Sequence, residues 1–265
     1  MNPPALLSVE SVSISYPCKP KAVDSVSFAL RPGERMGLVG ESGSGKTSLA
    51  RAILGLEKPS EGVIRFDGGD DPLPGRAARL ARARLAQMVF QDPYHSLNPR
   101  RTVRQTLLEA LSIRADAPPS GEADGEAARL LETVRLDADA LDRYPHQFSG
   151  GQRQRICIAR ALAPQPRLLV CDEAVSALDV TTQRSIILLL RELGRETGIS
   201  LLFITHDLPL VEALCERVIV FDRGRIVEDG TVGETFASPR AEKTRELLAA
   251  VLRPPSPLCS RPPEP

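Results

Sequence analysis

Tryptophan is absent from this 265-residue chain, and its 3 Tyr and 7 Phe make aromatics only 4% of the sequence. A surface that stacks successive nucleobases needs more rings than that. Charge of one sign is lacking too: Lys+Arg and Asp+Glu each total 34, so no bulk field draws the chain to polyanions. A generic nucleic-acid binder is excluded, and no nucleic-acid partner is expected. Long apolar runs are missing as well. Ile186 to Leu190 and Leu201 to Ile204 fall far short of the roughly 18–20 residues that span a bilayer. The opening Met1-Asn2-Pro3-Pro4 has neither a basic region nor an apolar stretch, so no secretory signal is read there. The 5 cysteines (Cys18, Cys157, Cys171, Cys215 and Cys259) form no C-x-x-C pair. That pattern suits incidental thiols in a reducing compartment rather than a metal or cluster site.

What remains, 42% hydrophobic and 26% charged residues, is ordinary for a globular protein of one large or two small domains. Leu7 to Tyr16 and Val23 to Leu30 alternate as strands, with turn chemistry at Arg31-Pro32-Gly33-Glu34 between the second and an apolar run, Met36 to Val39. Gly62 to Phe66 is a further strand before the break at Gly68 to Pro72. A basic helix-like segment, Arg76 to Arg84, leads to a short buried strand, Ala86 to Gln91. The pattern then turns helical: Thr102 to Ile113, a loop at Ala117 to Gly121, Gly125 to Val134, and Gln152 to Leu162. Beyond it, strands at Leu168 to Cys171, Leu201 to Thr205 and Val218 to Phe221 alternate with helices at Thr181 to Glu196 and Leu208 to Cys215. Such alternation predicts a mostly parallel α/β sheet. An edge hairpin near Gly224 and a helix over Lys243 to Leu252 follow, and Arg253 to Pro265, with its six prolines, reads as a flexible tail.

Gly40-Glu41-Ser42-Gly43-Ser44-Gly45-Lys46-Thr47 fits the spacing G-x-x-x-x-G-K-[ST], with Ser48 behind it. It stands between a strand and a helix, the context the pattern requires. Glycines let the loop turn its N–H groups toward a phosphate, and the helix start adds its positive end. Lys46 would reach the β/γ-phosphates of ATP and the Thr47 hydroxyl would ligate Mg²⁺. The partner carboxylate belongs at the end of a neighbouring strand, and Leu168 to Cys171 runs into Asp172-Glu173. Asp172 would hold the ion or its water shell, and Glu173 would polarise the attacking water.

Phe148-Ser149-Gly150-Gly151-Gln152, ahead of that acid pair, closely resembles the L-S-G-G-Q signature of ATP-binding cassette (ABC) ATPases. Ser-Gly-Gly opening a helix makes a second anion site. The resemblance covers roughly Leu6 to Leu252 and implies a phosphate-loop ATPase core with a small antiparallel β-subdomain and a helical insertion, about residues 101–165, all in one nucleotide-binding unit over 1–252 with the tail at 253–265. It also implies roles: Ser149 to Gln152 on the γ-phosphate held by a second cassette, Gln91 at the metal or water, Tyr16 stacked on adenine, Ser176 to Asp179 crossing the interface, and His206 as a switch at the γ-phosphate. His95 and His146 have no such context.

Phe90-Gln91-Asp92-Pro93-Tyr94, Ser96 to Arg100, Tyr144 to Gln147, and Ala174-Val175 in place of the commoner Pro-Thr resemble the dipeptide, oligopeptide and nickel importer ATPases. Where that group often shows His-Pro-Tyr-Thr, this chain has Ala241-Glu242-Lys243-Thr244. The iron–sulfur cysteine cluster of some members is not carried over, since Cys259 stands alone in the tail. The resemblance therefore implies an ATP-hydrolysing importer subunit for peptides or nickel and metallophore complexes. It would be peripheral at the cytoplasmic face of the inner membrane. Its partners would be an identical or paralogous cassette, two permease subunits and an extracytoplasmic solute-binding protein. The alternative is a soluble ABC ATPase of a non-transport assembly.

Overall fold

Two sheets share the strands among the described residues. The computed structural model describes residues 5–17, 20–69, 75–119 and 121–252, without the Leu252 side chain. In chain order, β1 (Leu7–Ile14) pairs antiparallel with β2 (Val23–Leu30), and β3 (Arg35–Val39) runs into α1 (Lys46–Ile53). Next, β4 (Glu61–Phe66) returns to the free edge of β1, closing a three-stranded sheet of order β2-β1-β4. Then come α2 (Arg76–Leu85), β5 (Ala86–Val89), α3 (Pro93–Ser96), α4 (Val103–Leu111), α5 (Ala123–Thr133) and α6 (Gly150–Leu162). The chain finishes with β6 (Leu168–Asp172), α7 (Val180–Thr197), β7 (Ser200–Thr205), α8 (Leu208–Leu214), β8 (Arg217–Asp222), β9 (Arg225–Thr231), α9 (Val232–Ala237) and α10 (Glu242–Leu252).

The larger sheet has the order β5-β6-β7-β3-β8-β9, parallel from β5 to β8, with β9 antiparallel on the outer edge. Every residue of β6 and of β7 is buried, which is why these strands read as continuous apolar runs: helices or the small sheet cover both faces. Alternate side chains serve different cores. Leu202 and Ile204 pack with α1 and the small sheet around Leu49 and Ile53, whereas Leu201 and Phe203 pack with the helical side around Ile156 and Leu190. Parallel pairing brings the carboxyl ends into line: Val39 lies opposite Thr205, Asp172 opposite Ile204, and Val89 opposite Cys171. The loops leaving β3, β5, β6 and β7 thus share one rim, where open α/β sheets bind ligands.

The expected α/β core, antiparallel subdomain and helical insertion are all present. Some boundaries differ. The strand expected over Ala86 to Gln91 ends at Val89, because Asp92 accepts from the Tyr94 N–H and caps α3. The helix expected from Gln152 begins at Gly150, capped by Ser149. β9 runs to Thr231 and α9 follows it; neither extent was predicted. The tail reading lies outside the described residues. Among the described residues, no helix is long and apolar enough to cross a membrane.

Candidate active site

Among the described residues, six helices begin under a side-chain cap: Asp92, Thr102, Ser149, Asp179, Asp207 and Thr231 each accept from a first-turn N–H. Like α2 and α5, α1 does not. It begins at Gly45, φ 109°, with no capping side chain, so its first N–H groups remain available to an external anion. A Cβ at Gly45 would come within 2.0 Å of the Ala22 carbonyl oxygen, and one at Gly40 within 2.2 Å of that of Phe221. Glycine at both positions is what lets the loop lie against its neighbours.

Lys46 lies inside the loop. It is 6% exposed, and its Nζ donates to the carbonyls of Gly40 (2.8 Å) and Glu41 (2.7 Å) and to Ser44 Oγ (3.4 Å). Burial lowers its pKa, opposed by the carboxylates of Glu173, Asp172 and Glu41. The next residue, Thr47, donates its hydroxyl to Asp172 Oδ2 at 2.9 Å, joining the α1 start to the β6 end. Burial raises the Asp172 pKa, the Thr47 hydrogen bond pulls it back, and the Glu173 charge raises it further.

Glu173 follows in the left-handed region, φ 48°, an uncommon conformation for a residue with a side chain. The surrounding structure holds it there. Its N–H donates to the Ile204 carbonyl (2.9 Å), and its carbonyl accepts from the Ser176 N–H and hydroxyl. The turn aims its carboxylate at His206, whose Nδ1 is 3.3 Å from Glu173 Oε1. His206 leaves the end of β7, and Asp207 caps α8 immediately after it. Sequence-distant residues 46, 47, 172, 173 and 206 therefore meet on one rim. Gln91, exposed two residues past β5, leaves the same rim. Tyr16 is half-buried beside the small sheet and donates to Ser48 Oγ (3.2 Å), at the first turn of α1.

Ser149 to Gln152 are fixed differently. Ser149 Oγ accepts from the Gln152 N–H (3.3 Å) while Gln152 Oε1 accepts from the Ser149 N–H (3.0 Å), a reciprocal cap on α6. Gly151 packs on α7, where a Cβ would approach Thr182 Cγ2 to 2.5 Å. These contacts tie the segment to Thr182 at the start of α7, and Gly150 lies beside Leu178 just before it. Asp179 caps α7 through Thr182, and those hydrogen bonds hold its pKa down. One connection escaped sequence reading: the Arg153 guanidinium sits 3.7 Å over the Tyr94 ring, with its Nε on the Pro145 carbonyl (2.7 Å). It links the segment after Gln91 to the helix after Ser149, and no local pattern announces a pair 59 positions apart.

The donors at the loop suit a nucleotide phosphate and Mg²⁺. An uncapped helix start and a lysine face the anion, and a hydroxyl paired with one carboxylate offers the hard oxygens that magnesium shares with water and phosphate. Among the described residues there is no cluster of three or more His, Cys, Asp or Glu able to hold a metal alone. The buried charge of Asp172 sets up a trade between stability and activity. Its folded pKa lies above the unfolded value, so ionised Asp172 costs stability above that pKa, and stability is regained as pH falls through it. Asp172→Asn is expected to raise the melting temperature of the nucleotide-free chain while lowering magnesium-dependent hydrolysis. Thermal unfolding with and without nucleotide checks this, and a lower melting temperature without nucleotide would contradict it.

The family model described as ABC transporter matches residues 23–176. A putative peptide import ATP-binding protein of Brucella ovis is 46% identical over 258 residues, covering 96% of this chain and 81% of that one. The oligopeptide transport ATP-binding protein OppF of Streptococcus mutans is 44% identical over 258 residues, with 96% and 83% covered. The glutathione import ATP-binding protein GsiA of Escherichia coli O157:H7 is 50% identical over 232 residues, which are 87% of this chain but 37% of that protein. Among solved structures, cbiO1 from Clostridium perfringens, part of the ABC transporter complex cbiONQ, superposes with a TM-score of 0.80 at 29% identity, covering 89% of this chain and 92% of that one. The cassette MJ0796, in a dimeric post-hydrolysis state bound to ADP and Pi, gives 0.76 at 28% identity, covering 85% and 98%.

Proposed function

The chain belongs to the ABC transporter family of ATPases, and from that premise we propose that it powers an importer whose solute is a peptide. The relatives named for peptide, oligopeptide and glutathione import support that solute class. The observation that carries the site reading is the meeting of Lys46, the Thr47–Asp172 pair and the Glu173–His206 contact on one sheet rim, beside a helix start left uncapped.

Residues 40–48 bind the phosphates of ATP, with Lys46 leaving its three loop oxygens to meet the β/γ oxygens and Tyr16 against the adenine. Thr47 and Asp172 would hold Mg²⁺, with Gln91 at the ion or its water; when bound, the ion would neutralise charge on the transferring phosphoryl group. Glu173 accepts the proton of the attacking water, and His206, hydrogen-bonded to it, contacts the γ-phosphate. Ser149 to Gln152, turned toward α7, serve the nucleotide of a partner cassette, either a second copy or a paralogue. Two such chains closing on two ATP would form one composite machine. Ser149 to Gln152 gain contacts only while the γ-phosphate is present, so closure is favoured before hydrolysis and opening after it.

The membrane partner meets a cleft of about 550 Å³ whose lining includes Leu56, Met88, Phe90, Ala110 and Ile113. Leu56 is 65% exposed and Phe90 39%, an apolar surface of the kind that receives an amphipathic helix. The cleft lies between the segment preceding Gln91 and the helical insertion, from which Ala110, Ile113 and Arg160 line it, so a helix seated there touches both. Residues 1–252 then act as one nucleotide-binding unit at the inner face of the membrane, beneath two permease subunits and a solute-binding protein. ATP turnover of the complex assembled with its permease and binding protein tests the solute class. Stimulation by peptides supports the reading, and turnover indifferent to peptides but raised by another solute class contradicts it.

A further inference from the structure

The terminal helix reaches back to the phosphate loop. Lys243 Nζ, in the first turn of α10, donates to Glu41 Oε1, 202 positions away, and to Glu246 Oε2 at 2.9 Å. The lysine is on a firm mount. Its side chain is 16% exposed against 63% for Glu41. Glu228 of β9 accepts from the N–H groups of Arg240 (2.9 Å) and Ala241 (3.0 Å) and from the Thr244 hydroxyl. Thr244 is itself buried, 1% exposed. The start of α10 is thereby pinned to the sheet edge, and Lys243 projects from it over an open cavity of about 460 Å³ bounded by Glu41 to Ser44, Arg223 and Lys243.

Glu41 faces two ways. Its backbone carbonyl accepts from Lys46 Nζ at 2.7 Å, while its carboxylate is the partner of Lys243. An unpaired carboxylate on an anion-binding loop repels phosphate over any distance shorter than the Debye length, about 8–10 Å at physiological salt. Arg223 faces the same cavity and the same carboxylate, while Asp222, Glu242 and Glu246 also line it, so Lys243 shares the neutralisation of Glu41 and its removal has a bounded effect.

We propose that Lys243 is a positioning residue for ATP: it neutralises Glu41 and holds that carboxylate away from the phosphate-binding face of loop 40–47. The proposal rests on the reading of that loop as the ATP site. It assigns the C-terminal helix, which lies beyond the residues matched by the family model, a part in nucleotide affinity.

The test is ATP affinity and turnover of the full chain across a salt series. Lys243→Met is expected to weaken ATP binding about three- to tenfold at low salt, with a smaller difference as ionic strength rises. The kcat at saturating ATP is expected to stay within about twofold, since no reacting atom is touched. Lys243→Arg should keep wild-type affinity. Adding Glu41→Gln to Lys243→Met should restore it, because the loop's own carboxylate is gone while the Glu41 backbone carbonyl that Lys46 uses stays and the Glu246 left without Lys243 stands on α10 rather than on the loop; loss through unfolding of α10 would not be rescued that way. Wild-type affinity in Lys243→Met at every salt concentration, or a defect that Glu41→Gln leaves in place, overturns the proposal. A wild-type chain that binds no ATP overturns the site reading beneath it, so the two failures are distinguishable.

Discussion

Glu173→Gln is expected to lower ATP turnover on the order of a hundredfold or more, the usual contribution of a positioned general base, while ATP affinity stays within about twofold. The substitution keeps the size and hydrogen-bonding reach of the side chain and removes only its capacity to take a proton. The backbone should not move, because the φ of 48° at this position is held by the N–H bond to Ile204 and by the Ser176 contacts to its carbonyl. The amide can still meet His206, 3.3 Å from the native carboxylate. Phosphate release measured beside nucleotide binding separates the two effects. Turnover near the wild-type rate would remove Glu173 as the base.

Lys46→Ala is expected to weaken ATP binding by about two orders of magnitude, and turnover falls with it. Lys46 is the buried cation of the site, with three carboxylates, Glu173, Asp172 and Glu41, acting on it. Without it, incoming phosphate meets Asp172 and Glu173 opposed mainly by the α1 start, whose end charge is about half a unit, since Lys243 and Arg223 act on Glu41 instead. The oxygens of Gly40, Glu41 and Ser44 also lose their shared donor, so the loop loses its internal tie as well as its charge. Lys46→Arg should not rescue it, since the longer planar group does not reproduce a compact point charge. Equilibrium binding of a fluorescent ATP analogue measures the effect, and affinity within a few-fold of wild type would contradict it.

The contrast between β6 and β9 shows what the sequence made legible. Leu168 to Cys171 is apolar at every position and buried at every position, so its period and its fate coincide. Arg225–Thr231 alternates only between half-buried and exposed residues, and antiparallel pairing with β8 is what makes it a strand. The phosphate loop was readable because its chemistry is local: turn glycines, a lysine and a hydroxyl within eight positions. The acid pair was readable as the end of an apolar strand. Strand order was not, since β3 between β7 and β8 follows from crossovers that leave no mark in any window. Nor were the Tyr94–Arg153 and Glu41–Lys243 contacts, which join distant segments through single side chains. α3 and α9, 4 and 6 residues long, are too short to show a helical period. The seating of Ser149 to Gln152 against α7 belongs to the same class: the motif is local, and its contact with Thr182 is a property of the packing.

The proposed dependence of the phosphate loop on another chain's Ser149 to Gln152 is the centre of the account, because it would make each loop half a site. ATP-driven self-association of the Glu173→Gln chain, followed by sedimentation with and without an added Ser149→Arg, tests it most directly. The expected result is an ATP-dependent dimer of Glu173→Gln that returns to monomer in the double variant while ATP still binds. A double variant that dimerises with ATP as the single one does would contradict it, whereas a Glu173→Gln chain that binds ATP and stays monomeric would assign the partner's part to a paralogue rather than a second copy.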